Sequence, residues 1–116
     1  MLLSSCSTQD SSARGYRQIS MDEAMDVMKK ERGYIILDVR RADEYADGHI
    51  PGAINVANED IGEKEISALP DKSQLILVYC RSGRRSKEAA EKLVKLGYTN
   101  IVEFGGILDY NGEIER

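Results

Sequence analysis

The sequence predicts an α/β fold in which helices cover both faces of a central parallel sheet. Short apolar runs at residues 34–37, 75–79 and 100–104 are rich in β-branched and aromatic side chains, as buried strands are. Segments with the apolar spacing of helices lie between these runs. Strands that alternate with helices along a chain form parallel sheets with both faces covered.

Composition limits the classes of protein to which the chain can belong. Its 116 residues are enough for one hydrophobic core but not for two. Hydrophobic residues make up 41% and charged residues 31%, which is ordinary for a globular domain. The formal net charge of −4 argues against a partner that is a nucleic acid.

Residues 1–15 differ from the rest of the chain. They are rich in Ser, Thr, Gln and Asp and have no periodicity, which predicts a disordered polar tether ahead of a domain at residues 16–116. The segment LSSC at residues 3–6 resembles the cleavage box of bacterial lipoproteins, in which the cysteine is lipidated. We therefore expect the remnant of a lipoprotein signal, with a lipid anchor through Cys6 and a location outside the cytoplasm. A cytoplasmic protein with a mobile start is the alternative.

Helices are predicted at three places before the central unit. The pattern S-x-x-E at residues 20–23 is a capping box that begins the first helix, and Gly33 is expected to stop it. We interpret its methionine-rich face as core rather than as a binding surface: Met21, Ala24, Met25 and Met28. A short helix at residues 41–46 is expected to end at Gly48, and residues 61–69 form a weaker helical pattern.

Residues 75–97 contain a strand, a cysteine, a basic loop and a helix in succession. Cys80 falls at the carboxyl end of the predicted strand, the edge at which open parallel sheets bind ligands. The first amides of a helix have no intrahelical partner and carry partial positive charge, so a loop that leads into a helix can surround an anion. Arg81, Arg84 and Arg85 add positive charge, and both effects favour a thiolate. We therefore interpret Cys80 as a nucleophile rather than as an ordinary buried cysteine.

Cofactor and metal sites are not expected. Cys6 and Cys80 lie in unlike settings, which argues against a structural disulfide. The single histidine, His49, and the lack of clustered thiols argue against a structural zinc site. Neither a phosphate-binding loop of the GxxxxGK[ST] type nor a dinucleotide fingerprint occurs.

Several motifs together resemble one family, the rhodanese-like sulfurtransferases. CRSGRRS at residues 80–86 resembles the active-site loop of that family. LDVR at residues 37–40, GHIPGAIN at residues 48–55 and the glycine pair at residues 105–106 resemble further family motifs in their order and spacing. The resemblance extends over about residues 16–115, so it implies a single rhodanese-like domain.

The resemblance implies an enzyme that moves sulfane sulfur from thiosulfate, or a similar small anionic donor, to a thiophilic acceptor. Cys80 would attack the outer sulfur of the donor, release sulfite and hold the sulfur as a persulfide. The rest of the loop would bind the donor and the persulfide: Arg81, Ser82, Gly83, Arg84, Arg85 and Ser86. Cyanide, a cellular thiol or a protein is the expected acceptor, and a monomer is the expected state.

Three residues outside the loop are expected to support it. The resemblance implies that Asp38 and Arg40, which follow a predicted strand, help to hold the loops around the site. His49 is open to two interpretations, a general base or a structural residue, and its GHIPGA setting resembles a structural turn of the family. Tyr110 stands where family members often have tryptophan, a change that would alter the pocket wall.

Two other functions compete with sulfur transfer. The rhodanese fold resembles that of some dual-specificity phosphatases, which place five residues between their cysteine and an arginine. Here Ser86 stands at that position and the arginine comes one residue earlier, at Arg85, so the shorter loop favours sulfur over phosphate. The other alternative is a sulfur-carrier or protein-binding module, against which the presence of Cys80 counts.

Overall fold

A computed structural model describes the chain over residues 15–62 and 64–116. The tether predicted at residues 1–15 therefore lies, except for Gly15, outside the described residues. Cys6 and the lipid anchor predicted for it lie outside them as well.

The sheet has five strands, and every pair of neighbours is parallel. In chain order the strands are β1 (Arg17–Gln18), β2 (Ile35–Asp38), β3 (Ile54–Asn55), β4 (Ile76–Cys80) and β5 (Ile101–Gly106). Their order across the sheet is β1-β5-β4-β2-β3, so β4 lies at the centre. This arrangement confirms the predicted α/β fold with a parallel sheet.

Within residues 15–62 and 64–116, three α-helices accompany the sheet: α1 (Met21–Lys30), α2 (Ala42–Asp47) and α3 (Arg84–Lys95). Short 3-10 helices occupy Asn58–Asp60 and Ile107–Asp109. Among the described residues, no helix has the length and apolar character needed to cross a membrane.

The core has two layers because side chains alternate along the central strand. Val78 and Cys80 of β4 point into a buried cluster that includes Ala90 and Leu93 of α3. Leu77 and Tyr79 point into a second cluster on the opposite face of the sheet, together with Ala24 of α1 and Phe104 of β5. Helices thus cover both faces, and Cys80 lies on the face that α3 covers.

The first two helices lie where the sequence predicts them, and the second ends at Gly48 as expected. Ser20 caps α1, and both hydrogen bonds of the capping box with Glu23 are present. Met21 and Met28 pack against the core beside buried Ala24, which confirms that this face is core. The helix ends at Lys30, and Glu31 rather than Gly33 is its cap.

The helix predicted at residues 61–69 is wrong. In the described part of this segment, residues 61–62 and 64–69, the chain forms turns and irregular structure. The positions three and four after buried Ile61, which a helix would place on the same face, are the exposed Lys64 and Glu65, so the apolar face of a helix is interrupted there. The nearest helical element before this segment is the 3-10 helix that ends at Asp60.

Candidate active site

Strand β4 delivers Cys80 to the centre of the molecule. All five residues of β4 are buried, and Cys80 is its last residue. A register irregularity after Val78 brings Cys80 opposite Gly106 of β5. The chain then turns through residues 81–83 into α3, whose first residue is Arg84.

The sulfur atom of Cys80 lies beneath this turn. The backbone N–H of Gly83 donates a hydrogen bond to Sγ at 2.9 Å. Gly83 caps α3 with φ of 115°, a left-handed conformation that favours glycine. The amino end of α3 therefore directs its partial positive charge at the sulfur.

Ser86 is the second contact of the sulfur. Its Oγ lies 3.4 Å from Cys80 Sγ. The same hydroxyl donates to Oε2 of Glu103 at 2.5 Å and lies 2.9 Å from the carbonyl oxygen of Gly83. Ser86 is fully buried, so its hydroxyl links the sulfur to β5 without access to solvent.

Glu103 is a site residue that the sequence reasoning did not identify. It lies in β5 between buried apolar neighbours, and its exposed fraction is only 2%. Its Oε2 also accepts the N–H of Gly105 at 2.8 Å, and its Oε1 accepts from the Gln18 amide at 3.2 Å. A charged residue inside an otherwise apolar strand was the signal that could have revealed it.

The glycine pair at the end of β5 lets the cysteine loop lie directly on the sheet. The carbonyl oxygen of Arg81 accepts the N–H of Leu108 at 3.2 Å. A Cβ atom on Gly106 would lie 2.0 Å from that oxygen, so no side chain fits there. Because Gly106 has no side chain, the backbone of the loop can pack directly against β5.

The three arginines of the loop differ in their partners. Arg85 donates two hydrogen bonds to the Glu44 carboxylate of α2, at 2.7 and 3.1 Å. The hydrogen bond from Arg85 lowers the pKa of Glu44 to about 2. Arg84 is exposed and pairs with Glu88 at 3.2 Å, and Arg81 is exposed as well. Arg85, which was expected to attract the donor, thus connects the loop to α2.

A cavity of about 500 Å³ opens at the loop. Its lining holds four arginines and two glutamates, so it has a formal surplus of two positive charges: Arg41, Glu44, Glu59, Arg81, Ser82, Arg84 and Arg85. Gly83 and Ser86 are buried with Cys80. The predicted loop residues thus separate into a buried set that contacts the sulfur and a set that lines the cavity.

Asp38 and Arg40 form a buried network at the ends of β2 and β4. The guanidinium of Arg40 donates to both oxygens of the Asp38 carboxylate at 2.8–3.1 Å and to the carbonyl oxygen of Gly48 at 2.7 Å. The Tyr79 hydroxyl donates to Asp38 at 2.7 Å and accepts the N–H of Ile50. Burial raises the pKa of Tyr79 well above its ordinary value, so the hydroxyl remains a donor. The network joins the GHIPGA turn to the sheet.

His49 lies in that turn, and its contacts are made with α2 and the end of the chain. Its ring stacks on Tyr45 with centroids 3.7 Å apart, and its Nδ1 lies 2.8 Å from the Tyr45 carbonyl oxygen. Its Nε2 lies 3.4 Å from a carboxylate oxygen of Glu115. None of these described partners belongs to the cysteine loop. Across residues 15–62 and 64–116, no three His, Cys, Asp or Glu side chains are grouped so that they could hold a metal ion.

Comparison with known proteins assigns this loop and fold to a family. The family model of the rhodanese-like domain matches residues 20–113. The chain belongs to the rhodanese-like family. It is 40% identical over 73 residues to thiosulfate sulfurtransferase PspE of Escherichia coli strain K12, over 63% of this chain and 70% of PspE. It is 36% identical over 91 residues to thiosulfate sulfurtransferase GlpE of Coxiella burnetii, over 78% of this chain and 82% of GlpE.

A solved rhodanese structure supports the same assignment. The structure described as a rhodanese with anions from E. coli matches with a TM-score of 0.65 and 35% sequence identity. The match covers 72% of this chain and 98% of that one. The rhodanese-like domain and the enzyme class that the sequence predicted, a sulfurtransferase of the rhodanese type, are confirmed.

Proposed function

We propose that this rhodanese-like domain transfers sulfane sulfur from thiosulfate, or a similar small anionic donor, through a persulfide on Cys80 to a thiophilic acceptor. The observation that carries the proposal is the surroundings of the Cys80 sulfur. Sγ accepts the N–H of Gly83 at 2.9 Å at the amino end of α3, and the turn above it lines a cavity with surplus positive charge. The names of the relatives PspE and GlpE support thiosulfate as the donor.

The first half-reaction forms the persulfide. The Cys80 thiolate attacks the outer sulfur of thiosulfate, a bond forms between the two sulfurs, and the sulfur–sulfur bond of the donor breaks. Sulfite leaves with the electron pair of that bond. The persulfide sulfur carries the negative charge, and the backbone amides of residues 81–86 would stabilise it as an oxyanion hole stabilises oxygen.

The second half-reaction restores the cysteine. A nucleophile such as cyanide or a thiolate attacks the outer sulfur of the persulfide, and the Cys80 thiolate is the leaving group. Donor and acceptor thus react in turn at one sulfur atom, which is ping-pong chemistry. A protein thiol belongs to the same chemical class of acceptor.

The exposed arginines support an anionic donor. Arg81 and Arg84 line the cavity and lie at the surface, where they attract anions before contact. Arg85 is held by Glu44, so we assign it to the shape of the loop rather than to the capture of the donor. Donor binding therefore depends mainly on Arg81 and Arg84.

Replacement of Cys80 by serine tests the proposed function. The Cys80→Ser variant should fold normally, because the two side chains differ by one buried atom, but it should produce no thiocyanate from thiosulfate and cyanide. A serine hydroxyl cannot form a persulfide. Thermal unfolding of both proteins checks the fold. Turnover in the variant equal to that of the native protein would remove Cys80 from the mechanism.

A further inference from the structure

Glu103 is a buried carboxylate that the proposed function leaves without a role. Burial of a carboxylate is costly unless it is paired or well hydrogen-bonded. Among the described residues, its hydrogen-bond partners are neutral groups: the hydroxyl of Ser86, the N–H of Gly105 and the amide of Gln18. No Lys, Arg or His side chain among the described residues forms a salt bridge with Glu103. A carboxyl group therefore lies in the core, and two hydrogen bonds through Ser86 Oγ connect it to the sulfur of Cys80.

The hydrogen bonds between Cys80 and Glu103 have a direction. Ser86 has one hydroxyl hydrogen, and the carboxylate oxygen at 2.5 Å is its strongest acceptor. When Ser86 donates this hydrogen in a hydrogen bond to Glu103, the lone pairs of Ser86 Oγ are free to accept a hydrogen bond. The thiol of Cys80 at 3.4 Å then donates to Ser86. Donor and acceptor alternate along the whole line, from sulfur to hydroxyl to carboxylate.

We infer that the proton of the Cys80 thiol leaves through Ser86 to Glu103, which makes Glu103 a positioning residue for sulfur transfer. The sulfur–hydrogen bond breaks as a hydrogen binds to Ser86 Oγ, and the original hydroxyl hydrogen of Ser86 moves to Oε2 of Glu103. The products are a Cys80 thiolate and a neutral Glu103. The total charge of the Cys80, Ser86 and Glu103 side chains does not change, and no other reactant is needed. The inference rests on the proposed function for its role in turnover.

The surroundings favour the charge on sulfur once the proton has moved. At Sγ the negative charge has the N–H of Gly83 and the amino end of α3 beside it. The charged side chains that line the adjoining cavity are those of Arg41, Arg81, Arg84, Arg85, Glu44 and Glu59, and Arg85 is paired with Glu44 of α2.

The two half-reactions should respond differently to the loss of this proton acceptor. Only the first begins from a cysteine that carries a thiol proton. In the second, the outer sulfur of the persulfide is attacked and Cys80 leaves as a thiolate, so no thiol proton has to move. A change at Glu103 that acts through the proton must therefore slow persulfide formation and spare persulfide discharge.

The Glu103→Gln variant tests this difference. Glutamine can still accept the hydrogen bonds of Ser86 and Gly105, but it cannot take a proton. At neutral pH, persulfide formation from thiosulfate should slow by about two orders of magnitude. It should recover as the pH rises, because hydroxide then removes the thiol proton. Discharge of the loaded persulfide by cyanide should keep the native rate. Glu91→Gln, which removes the same charge from the exposed face of α3, is the matched control and should leave both rates unchanged.

Alkylation of Cys80 separates this inference from the proposed function. A small neutral reagent such as iodoacetamide reacts with the thiolate and needs no sulfur donor. Mass spectrometry should show slower alkylation of Glu103→Gln than of the native protein at neutral pH, and equal rates in alkali, whether or not thiosulfate is a substrate. If Glu103→Gln does not fold, Ser86→Ala, which interrupts the same line, should show the same pH-dependent defect. Native alkylation rates in the variants, or loss of both half-reactions at every pH, would overturn the inference.

Discussion

The reactive sulfur of Cys80 depends on two glycines that serve different purposes. Gly83 adopts φ of 115° and turns its N–H toward Sγ. Gly106 lies against the carbonyl oxygen of Arg81, where a Cβ atom would come within 2.0 Å. One glycine supplies a backbone conformation and the other supplies space. The loop has its shape only if both are present.

The Gly106→Ala variant should disrupt the site from a neighbouring strand. The added methyl group meets backbone rather than a flexible side chain, so the loop must move; overpacking of this kind costs about 1–3 kcal/mol. We expect a lower melting temperature and a loss of thiocyanate formation of at least about tenfold, the equivalent of ~1.4 kcal/mol in the activation barrier. Gly62→Ala is the control, because Gly62 has open space around its Cα. Equal activity of the two variants would contradict the account of Gly106.

Single residues were predictable where their chemistry is marked by their neighbours in the chain. Cys80 stands out as a candidate nucleophile because a strand precedes it and arginines follow it. Glu103 and Glu44 could not, since each acts on the loop from 17 or 41 positions away through a hydrogen bond. The role of such residues depends on which strands and helices become neighbours, and local patterns do not contain that information.

Helices α2 and α3 are joined by the ion pair between Glu44 and Arg85. Both side chains are mostly buried, with exposed fractions of 16% and 19%. The hydrogen bond from Arg85 lowers the pKa of Glu44 from its ordinary 4.5 to about 2. A carboxyl group with a lowered pKa stabilises the fold at pH values above its ordinary pKa, and this contribution is lost as the pH falls through the folded value. The pair should therefore weaken between pH 4.5 and about pH 2.

Acid unfolding of Glu44→Gln measures this contribution. The variant should be less stable than the native protein at neutral pH, and the difference should shrink as the pH falls from 4.5 toward 2, because the native carboxyl group is then protonated. Urea unfolding at several pH values provides the free energies. Asp26→Asn, in an exposed pair with Lys30, is the control and should change stability little. A difference between Glu44→Gln and the native protein that is independent of pH would contradict this account.

Helices and strands were predictable where the local sequence carries a clear pattern of apolar spacing or capping. The strands of the sheet follow from short apolar runs, and α1 follows from a capping box and an apolar face. Residues 61–69 were predicted as a weaker helical pattern, but the described part of this segment contains no helix, because charged residues interrupt its apolar face. The start of α3 at Arg84 was not evident either, since the residues of its first turn are those of the basic loop.

The whole molecule combines a negative net charge with a positive site. The formal net charge of the chain is −4, but the lining of the cavity has four arginines and two glutamates. The central position of β4 brings the cysteine loop, α2 and the glycine pair of β5 together at one edge of the sheet. The proposed anionic donor would thus meet local positive charge on a protein that would otherwise repel it.

Salt should therefore weaken donor binding more than it slows chemistry. Dissolved ions screen exposed charges beyond about 8 Å at physiological ionic strength, so the KM for thiosulfate should rise with added potassium chloride while kcat changes little. Arg84→Gln should raise KM at low salt and reduce this salt dependence. Lys95→Gln, at the far end of α3 and also exposed, should leave the salt dependence at its native value. An identical effect of the two substitutions would show that net charge, rather than the cavity, attracts the donor.

Mass spectrometry of the protein after exposure to thiosulfate tests the central claim most directly. The intact protein should gain the mass of one sulfur atom, and fragmentation should place this sulfur on Cys80. Cyanide should then remove the added sulfur and release thiocyanate in equal amount, and the Cys80→Ser variant should gain nothing. A native protein that stays at its original mass while it produces thiocyanate, or that carries the sulfur at another residue, would contradict the proposed mechanism.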